Sequence, residues 1–521
     1  MLQFDVPEVT IPDIITSHAR WHPKKTALVC AERRVSWREF NSRINRVAHA
    51  LLELGLRKGD KVSLLSGNRI EMAEIIFGTL KAGGVIVPLS ALVPGEGLAR
   101  MIADSDSKAL FADPLMGMVI APHRPQLTRV LPAGFFSVGF AAEGWAPYET
   151  RLAQVPDQEP GIPLRYADDF NIIYSSGTTG LPKGIVHTHA ARRDFALALA
   201  IDLRIDSSSV PILSTPMYHN GTWMIMLPAL IAGATTVIME HFDPRGFLQI
   251  VQKERGTHTF FVPTQFIVTM ALPDFETYDL SSLKIMVSAG APLRRDTKEQ
   301  ILKKFTRNLL ELYGLTEGIG STLEPEEMEG KIGSVGTPIA GTDIRIIDDQ
   351  GRELSRGGIG EIVGYSPGLL RGYYRQPEKT AEAIWKDEAG RTYLKTGDVG
   401  KFDEDGFLYI LDRKKDMIVS GGINIFATDI EEVVARHPAV LDVAVIGVPH
   451  EKWGETPLAL VVRKPGAAAG EDAIKDWANP QLAKFQRVSR VEFRDSLPRS
   501  PIGKVLKRVL REPYWQEGGK V

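Results

Sequence analysis

Tyr174-Ser175-Ser176-Gly177-Thr178-Thr179-Gly180-Leu181-Pro182-Lys183-Gly184 follows the apolar run Phe170 to Tyr174. The pattern predicts a strand that opens into a phosphate-holding loop. Four hydroxyls, three glycines and one lysine supply flexible backbone N–H groups, side-chain donors and a cation for a polyphosphate. The run is not the common nucleotide loop of Gly, four residues, Gly-Lys-Ser/Thr, because Gly184 follows the lysine. A Ser/Gly-rich surface turn has a similar composition, so the rest of the chain must decide.

Outward from this run the chain alternates helix and strand. From Pro12 to Val87 the periodicity predicts helices at 14–22, 37–54 and 69–82, and strands at 61–65 and 85–88 with a Gly59-Asp60 turn. A strand is also expected at 284–287. Such repeats argue for an α/β fold with a largely parallel sheet. The segment 114–163 is the least periodic and carries no evident chemistry. From Gly336 to Ile410 short β-like pieces at 344–347, 360–363 and 407–410 are separated by glycines, which suggests a β-rich subdomain. The charged cluster Asp412-Arg413-Lys414-Lys415-Asp416 reads as an exposed connection at a domain boundary. The remainder suits one small α+β domain, with helices at 429–436 and from Ile474 onward and a strand at 443–448.

The 521 residues carry 62 Lys+Arg against 64 Asp+Glu, a formal charge of −2, with 44% hydrophobic and 24% charged residues. This is an ordinary globular composition for roughly two to four domains. No basic footprint for nucleic acid or an anionic membrane is present, so a small-molecule partner is expected. The single Cys30 cannot form an intramolecular disulfide and has no metal-ligand cluster around it. The acidic, Pro-punctuated start Met1 to Glu8 lacks the features of a signal peptide, so the expected location is cytoplasmic. Asn220 to Met239 is uncharged and about long enough to cross a bilayer. Pro228 and Gly233-Ala234 break it into a short apolar helix at 223–231 and a strand at 235–239, so no integral membrane segment is expected.

Six segments now fall in one order. The eleven-residue run resembles the signature of the adenylate-forming superfamily of acyl-CoA synthetases, luciferase-like enzymes and peptide-synthetase adenylation domains. Tyr313-Gly314-Leu315-Thr316-Glu317-Gly318 resembles its second nucleotide motif, Thr396-Gly397-Asp398 its ribose motif, Asp412-Arg413 its hinge, Ser420-Gly421-Gly422 its mobile C-terminal loop, and Pro501-Ile502-Gly503-Lys504 its catalytic-lysine motif. The likeness spans nearly the whole chain. It implies the adenylate-forming fold: an α/β N-terminal domain at 1–411 with mixed and parallel sheets, including a β-rich subdomain at about 336–411. A small mobile α+β C-terminal domain at 412–521 would turn on a hinge at Asp412.

The resemblance implies carboxylate activation by ATP, with Mg²⁺, and transfer of the acyl group to CoA. Bringing a carboxylate to the α-phosphorus joins two anions, so positioning and charge neutralisation carry most of the catalysis. Lys183 with Ser175, Ser176, Gly177, Thr178, Thr179 and Gly180 would hold the phosphates, Thr316 would contact the α-phosphate, and Glu317 would be the Mg²⁺ ligand. Thr316-Glu317 could otherwise be a helix N-cap and first-turn acid. Asp398 and Arg413 suit ribose hydroxyls. Ser288, Gly290, Ala291 and Pro292, with Tyr313 and Gly314, would enclose the adenine.

Lys504 would bridge carboxylate and α-phosphate in the first half-reaction. Rotation about Asp412 would then withdraw it and bring Ser420, Gly421, Gly422 and Asn424 beside the CoA thiol channel. Asn424 and Glu431 match the family pattern. The chain departs from it at Ile423, where an acidic or aromatic residue is frequent, and at Ala427 and Asp429, where Pro and Glu are frequent. An accessible Lys504 also makes a lysine acetyltransferase a candidate partner; a homodimer is left open.

Tyr218-His219-Asn220-Gly221-Thr222-Trp223 matches the segment that lines the acid pocket. His219 would gate it, with Gly221, Trp223, Met224, Met226, Ser288 and Gly314 shaping it. His219 cannot supply the anion that pairs an amino acid's ammonium group. No Arg or Lys lies between Met217 and Met239, so this wall offers no partner for a second carboxylate. The expected substrate is therefore an apolar monocarboxylic acid, with aliphatic, alicyclic and aromatic tails all open. A stand-alone enzyme that loads a carrier-protein phosphopantetheine, and a non-catalytic nucleotide-binding protein, are the competing readings.

Overall fold

The computed structural model describes residues 6–175, 183–499 and 505–515. Two large sheets form the N-terminal part. In the first, the strands Val85–Pro88, Lys61–Leu65, Ala109–Ala112 and Phe135–Ser137 run parallel, and an antiparallel hairpin of Asp169–Ser175 with Lys183–Thr188 continues the sheet beside Val85–Pro88. In the second, Pro211–Leu213, His258–Phe261, Ile285–Ser288 and Leu309–Gly314 run parallel, and Leu309–Gly314 turns back as the antiparallel strand Gly320–Leu323. Both hairpins leave the carboxyl ends of parallel strands, where open α/β sheets bind ligands.

Helices join and cover the strands. Helix Trp37–Glu53 starts at Ser36, whose hydroxyl accepts from Glu39 N at 3.3 Å while the Glu39 carboxylate accepts from Ser36 N at 2.8 Å. This reciprocal cap satisfies two otherwise unpaired donors. Its apolar residues Phe40, Ile44, Val47, Ala48 and Leu51 recur at helical spacing and are buried. They pack on helix Ile70–Lys81, which is buried along its whole length. Full burial places Lys81 inside, where its ammonium donates to Asn41, Asn45 and Glu159. The aperiodic segment 114–163 thus carries a structural anchor.

The sequence-based elements fit closely at 61–65 and 85–88. The uncharged stretch differs: its helix spans Asn220–Ala232 and passes through Pro228. Pro228 has no N–H to return to the preceding turn, yet burial on every side holds the helix. Among the described residues no helix is long and apolar enough to cross a membrane.

A third sheet contains Asp343–Ile347, Gly360–Tyr365, Ile384–Lys386, Thr392–Phe402 and Leu408–Arg413. A fourth contains Ile418–Ser420, Ile423–Ile425, Val440–His450, Gly454–Arg463 and Arg490–Phe493, covered by helices Ala427–Ala435 and Glu471–Ala478. The charged link between them is not exposed throughout. Lys414 and Lys415 face solvent, but Asp412 is 5% exposed, because its carboxylate is the acceptor for two backbone N–H groups described below.

Candidate active site

Ser175 and Lys183 pair across the first hairpin. Ser176, Gly177, Thr178, Thr179 and Gly180 lie outside the described residues, as does Lys504. The Lys183 ammonium sits 4.8 Å from the centroid of the Tyr373 ring, within cation–π range. Tyr373 is held there because Gly372–Tyr373 pairs with Val186 and Ile185. Its hydroxyl donates to Glu317 Oε1 at 3.0 Å. Burial and the Glu317 carboxylate raise the phenol above its ordinary range, so it remains a donor. Lys183, Tyr373 and Glu317 therefore form one cluster. Tyr373 was missed by the sequence reading; its only local signal is an aromatic pair after a glycine.

Thr316 and Glu317 do not begin a helix, which removes the N-cap alternative. They occupy the tip of the 309–323 hairpin, closed by Leu315 N donating to Ile319 O at 3.2 Å. Gly318 has φ +104°, and a Cβ there would lie 1.9 Å from Gly368 O; only glycine fits. The backbone of Glu317 is also fixed, its carbonyl accepting from Leu370 N at 2.8 Å.

Ser288 and Glu311 are in register on adjacent parallel strands. Gly290-Ala291-Pro292 and Tyr313-Gly314 therefore leave the same sheet end side by side. Ser288 is buried and its Oγ has no hydrogen-bond partner among the described residues. Tyr313 Oη donates to Asp398 Oδ2 at 2.7 Å. Asp398 pairs in register with Arg413, whose Nε lies 3.1 Å from Asp398 Oδ1. Thr396 Oγ1 accepts from Asp398 N at 3.0 Å. Each carboxylate oxygen thus has one partner and a second acceptor site for a ribose hydroxyl.

His219 immediately precedes the helix Asn220–Ala232. Its ring packs 4.7 Å from that of Tyr218, and burial pushes its pKa down to about 4. Its Nε2 is buried without a partner among the described residues. A Cβ on Gly221 would lie 2.7 Å from Phe260 Cε1, and one on Gly290 3.9 Å from Phe260 Cζ. Phe260, not singled out by the sequence, therefore lies next to both the start of the helix Asn220–Ala232 and the loop 290–292. Trp223 is elsewhere. It is fully buried, packs on Phe170 and donates Nε1–H to Met217 O at 2.7 Å, which makes it a core residue. Met224, one turn from Gly221, is 5% exposed.

A cation from another element meets the start of this helix. Arg192, from helix His189–Asp202, donates Nη1 to Asn220 Oδ1 at 2.7 Å and Nε to Asn171 Oδ1 at 2.6 Å. Its guanidinium lies over Trp223, and Nη2 has no hydrogen-bond partner among the described residues. Burial alone lowers its pKa to about 9.

In the link between the third and fourth sheets, Asp412 Oδ1 accepts from Arg413 N and Oδ2 from Ala427 N, both at 2.7 Å. Burial pushes its pKa up to about 6. Beyond it, Ser420 pairs with Ile423 and Val419 with Asn424. Gly421 and Gly422 turn in the left-handed region, and Gly421 N donates to Trp453 O at 2.8 Å. Glu431 accepts from Val445 N at 2.7 Å and pairs with Lys507 at 2.8 Å. No group of three or more metal-binding side chains occurs among the described residues.

Residues 15–374 match the model of the AMP-binding enzymes, and residues 429–504 that of the AMP-binding enzyme C-terminal domain. The long-chain-fatty-acid–CoA ligase FadD13 of Mycobacterium tuberculosis is 33% identical over 92% of this chain and 93% of its own. A feruloyl-CoA synthase of Amycolatopsis is 32% identical over 95% and 97%. ATP-bound MatB from Rhodopseudomonas palustris superposes with a TM-score of 0.87 at 31% identity, covering 98% of this chain and 99% of that one. The apo form of the same enzyme, at the same identity and coverage, gives 0.78, so the arrangement described here is nearer the nucleotide-bound one. The chain belongs to the family of AMP-binding enzymes, as an AMP-forming acid–CoA ligase.

Proposed function

We propose that the protein activates a monocarboxylic acid with an apolar tail, forming acyl-adenylate and pyrophosphate from ATP, and then passes the acyl group to free CoA with release of AMP. The observation that carries this reading is the grouping of polar side chains around two neighbouring strand ends. Lys183, Tyr373 and Glu317 gather at one hairpin tip; Tyr313, Asp398 and Arg413 gather beside it. The first group suits phosphates and the second a ribose, with Gly290 to Pro292 leaving the sheet beside Tyr313 for the base.

Glu317 offers one carboxylate with acceptor capacity left beside its bond to Tyr373. That fits Mg²⁺, which binds through one or two carboxylates together with substrate phosphates and water. When bound, the ion would neutralise charge on the phosphates. Lys183 adds a fixed positive charge, and Lys504 would supply another between carboxylate and α-phosphate, leaving pyrophosphate as the departing group. The acid's tail would lie along Gly221, Met224 and Phe260. The apolar helix supports this, as do relatives named for fatty and feruloyl acids.

Acetylation of Lys504 would remove its charge and stop adenylation while sparing thioester formation. A cytoplasmic setting suits the single, buried Cys30.

The test is pyrophosphate release with ATP, Mg²⁺ and acids of graded length and ring content, with and without CoA. Acid-dependent release with a CoA-dependent thioester is expected. Release no greater than the protein-free blank across the panel would overturn the reading.

A further inference from the structure

The geometry points to Asp442 as a positioning residue for the adenylation step, tying the part of the chain after Asp412 to Arg294 beside the 290–292 loop. The inference rests on the ligase reading above and on the role proposed for Lys504.

Asp442 lies on the strand Val440–His450 of the C-terminal sheet. Pairing with Gly454–Arg463 shifts register between Val440 and Asp442. Such a bulge re-aims the side chain that follows it. The Asp442 carboxylate then meets two arginines from opposite sides. Its Oδ1 accepts from Arg294 Nη2 at 3.3 Å, and its Oδ2 pairs with Arg499.

Each arginine marks a functional loop. Arg294 comes two residues after Pro292 and caps the helix Arg295–Lys304, so it belongs to the loop proposed for adenine. Asp442 is its one ionic partner among the described residues. Arg499 pairs with Val505 in an antiparallel bridge, which closes the base of the segment containing Lys504. One carboxylate thus ties the base of the lysine loop to the base of the adenine loop.

The tie crosses between the two moving parts. Arg294 precedes the hinge at Asp412 and Asp442 follows it, so rotation that withdraws Lys504 must separate Arg294 from Asp442. The contact belongs to the arrangement nearer the nucleotide-bound relative, not to a thioester-forming one. Both ion pairs are partly exposed, so their worth to overall stability is small. Of the two, only Arg294–Asp442 joins parts that rotation separates, so its effect is expected on which arrangement is populated, and hence on one half-reaction.

The test uses the full chain and measures the half-reactions separately. Adenylation is read as acid-dependent pyrophosphate release; thioester formation is read from a synthetic adenylate of an acid that the wild type accepts, plus CoA. Asp442→Ala is expected to slow adenylation roughly fivefold or more, as loss of two such pairs allows, while thioester formation is unchanged or faster. Arg294→Gln leaves the Asp442–Arg499 pair intact and must give the same split, smaller in size, with unchanged melting temperature. Combined, the two substitutions must be non-additive. Equal losses in both half-reactions, or no change in either variant, would overturn the inference. A wild type that releases no pyrophosphate with any acid would instead overturn the ligase reading on which it stands.

Discussion

The Tyr313 hydroxyl donates to Asp398 Oδ2 at 2.7 Å and joins the strand end of one sheet to the strand Thr392–Phe402 of another. Burial and the Asp398 carboxylate raise the phenol well above its ordinary pKa, so the bond keeps one direction: phenol donates, carboxylate accepts. With Arg413 Nε 3.1 Å from Oδ1, both carboxylate oxygens are oriented before a nucleotide arrives.

Asp398→Asn should therefore raise the KM for ATP. Substituting an amide removes charge from hydrogen bonds worth about 1.5–3 kcal/mol each, or roughly tenfold or more in affinity. The KM for the acid should move much less. Steady-state kinetics with each substrate varied in turn checks this; a KM for ATP within about twofold of wild type would remove Asp398 from the ribose site.

Tyr373→Phe tests the phosphate end. Loss of its bond to Glu317 Oε1 leaves the carboxylate less well oriented, a change of about 1 kcal/mol. The expected result is roughly a fivefold weaker Mg²⁺ dependence of pyrophosphate release, recovered at high Mg²⁺, with the KM for acid unaltered. Glu317→Gln should be worse and should not recover. Identical Mg²⁺ titrations for wild type and Tyr373→Phe would exclude the tyrosine from this role.

What could be read from the sequence was local. Lys61–Leu65 and Val85–Pro88 show as apolar runs flanked by turn residues, and Lys183 shows because hydroxyls and glycines crowd beside it. Tyr373 and Glu317 are 56 residues apart, and Arg192 meets Asn220 across 28; no periodicity encodes such pairs. Trp223 illustrates a different limit. The helix Asn220–Ala232 is apolar nearly all round, so its pattern cannot tell a pocket face from a core face. Asp412 looked exposed because its neighbours are charged; the fold turned it toward two backbone donors.

His219 is neutral near pH 7. Burial lowers its pKa to about 4, so the fold favours the uncharged ring, and this group's contribution to stability is lost as pH falls from about 6.5 through 4. Consequently kcat/KM for the acid should show no limb from this residue between about pH 5.5 and 8. His219→Gln should keep the profile's shape, and His219→Ala should raise the KM for the acid while leaving that for ATP. A limb near pH 6.5 in wild type that vanishes in His219→Gln would contradict a neutral gate.

Ala427 stands where the family often has proline, and its N–H is in use, donating to Asp412 Oδ2 at 2.7 Å. Proline fits the first position of the helix Ala427–Ala435 sterically but would leave that buried oxygen without a donor, at a cost of about 1–3 kcal/mol. Ala427→Pro should therefore weaken the present hinge arrangement. Adenylation should slow relative to thioester formation from supplied acyl-adenylate. An unchanged ratio of the two rates would show that this bond does not bear on the hinge.

Asp412 gives the link between the third and fourth sheets a pH dependence of definite sign. Its carboxyl titrates near 3.8 when unfolded and at about 6 when folded, so the folded state holds the proton more tightly. The stabilisation is complete below about pH 3.8 and is lost as pH rises through 6, an effect on the order of 3 kcal/mol. Other carboxyls, the half-buried Glu324 among them, are raised as well, so the measurement must be a difference. Asp412→Asn does not titrate. Denaturant unfolding of both proteins at pH steps from about 4 to 7 should show wild type losing ground to Asp412→Asn as pH rises. A difference that is constant with pH, or that grows in favour of wild type, would mean that the Asp412 carboxyl is not destabilised by its burial at the hinge.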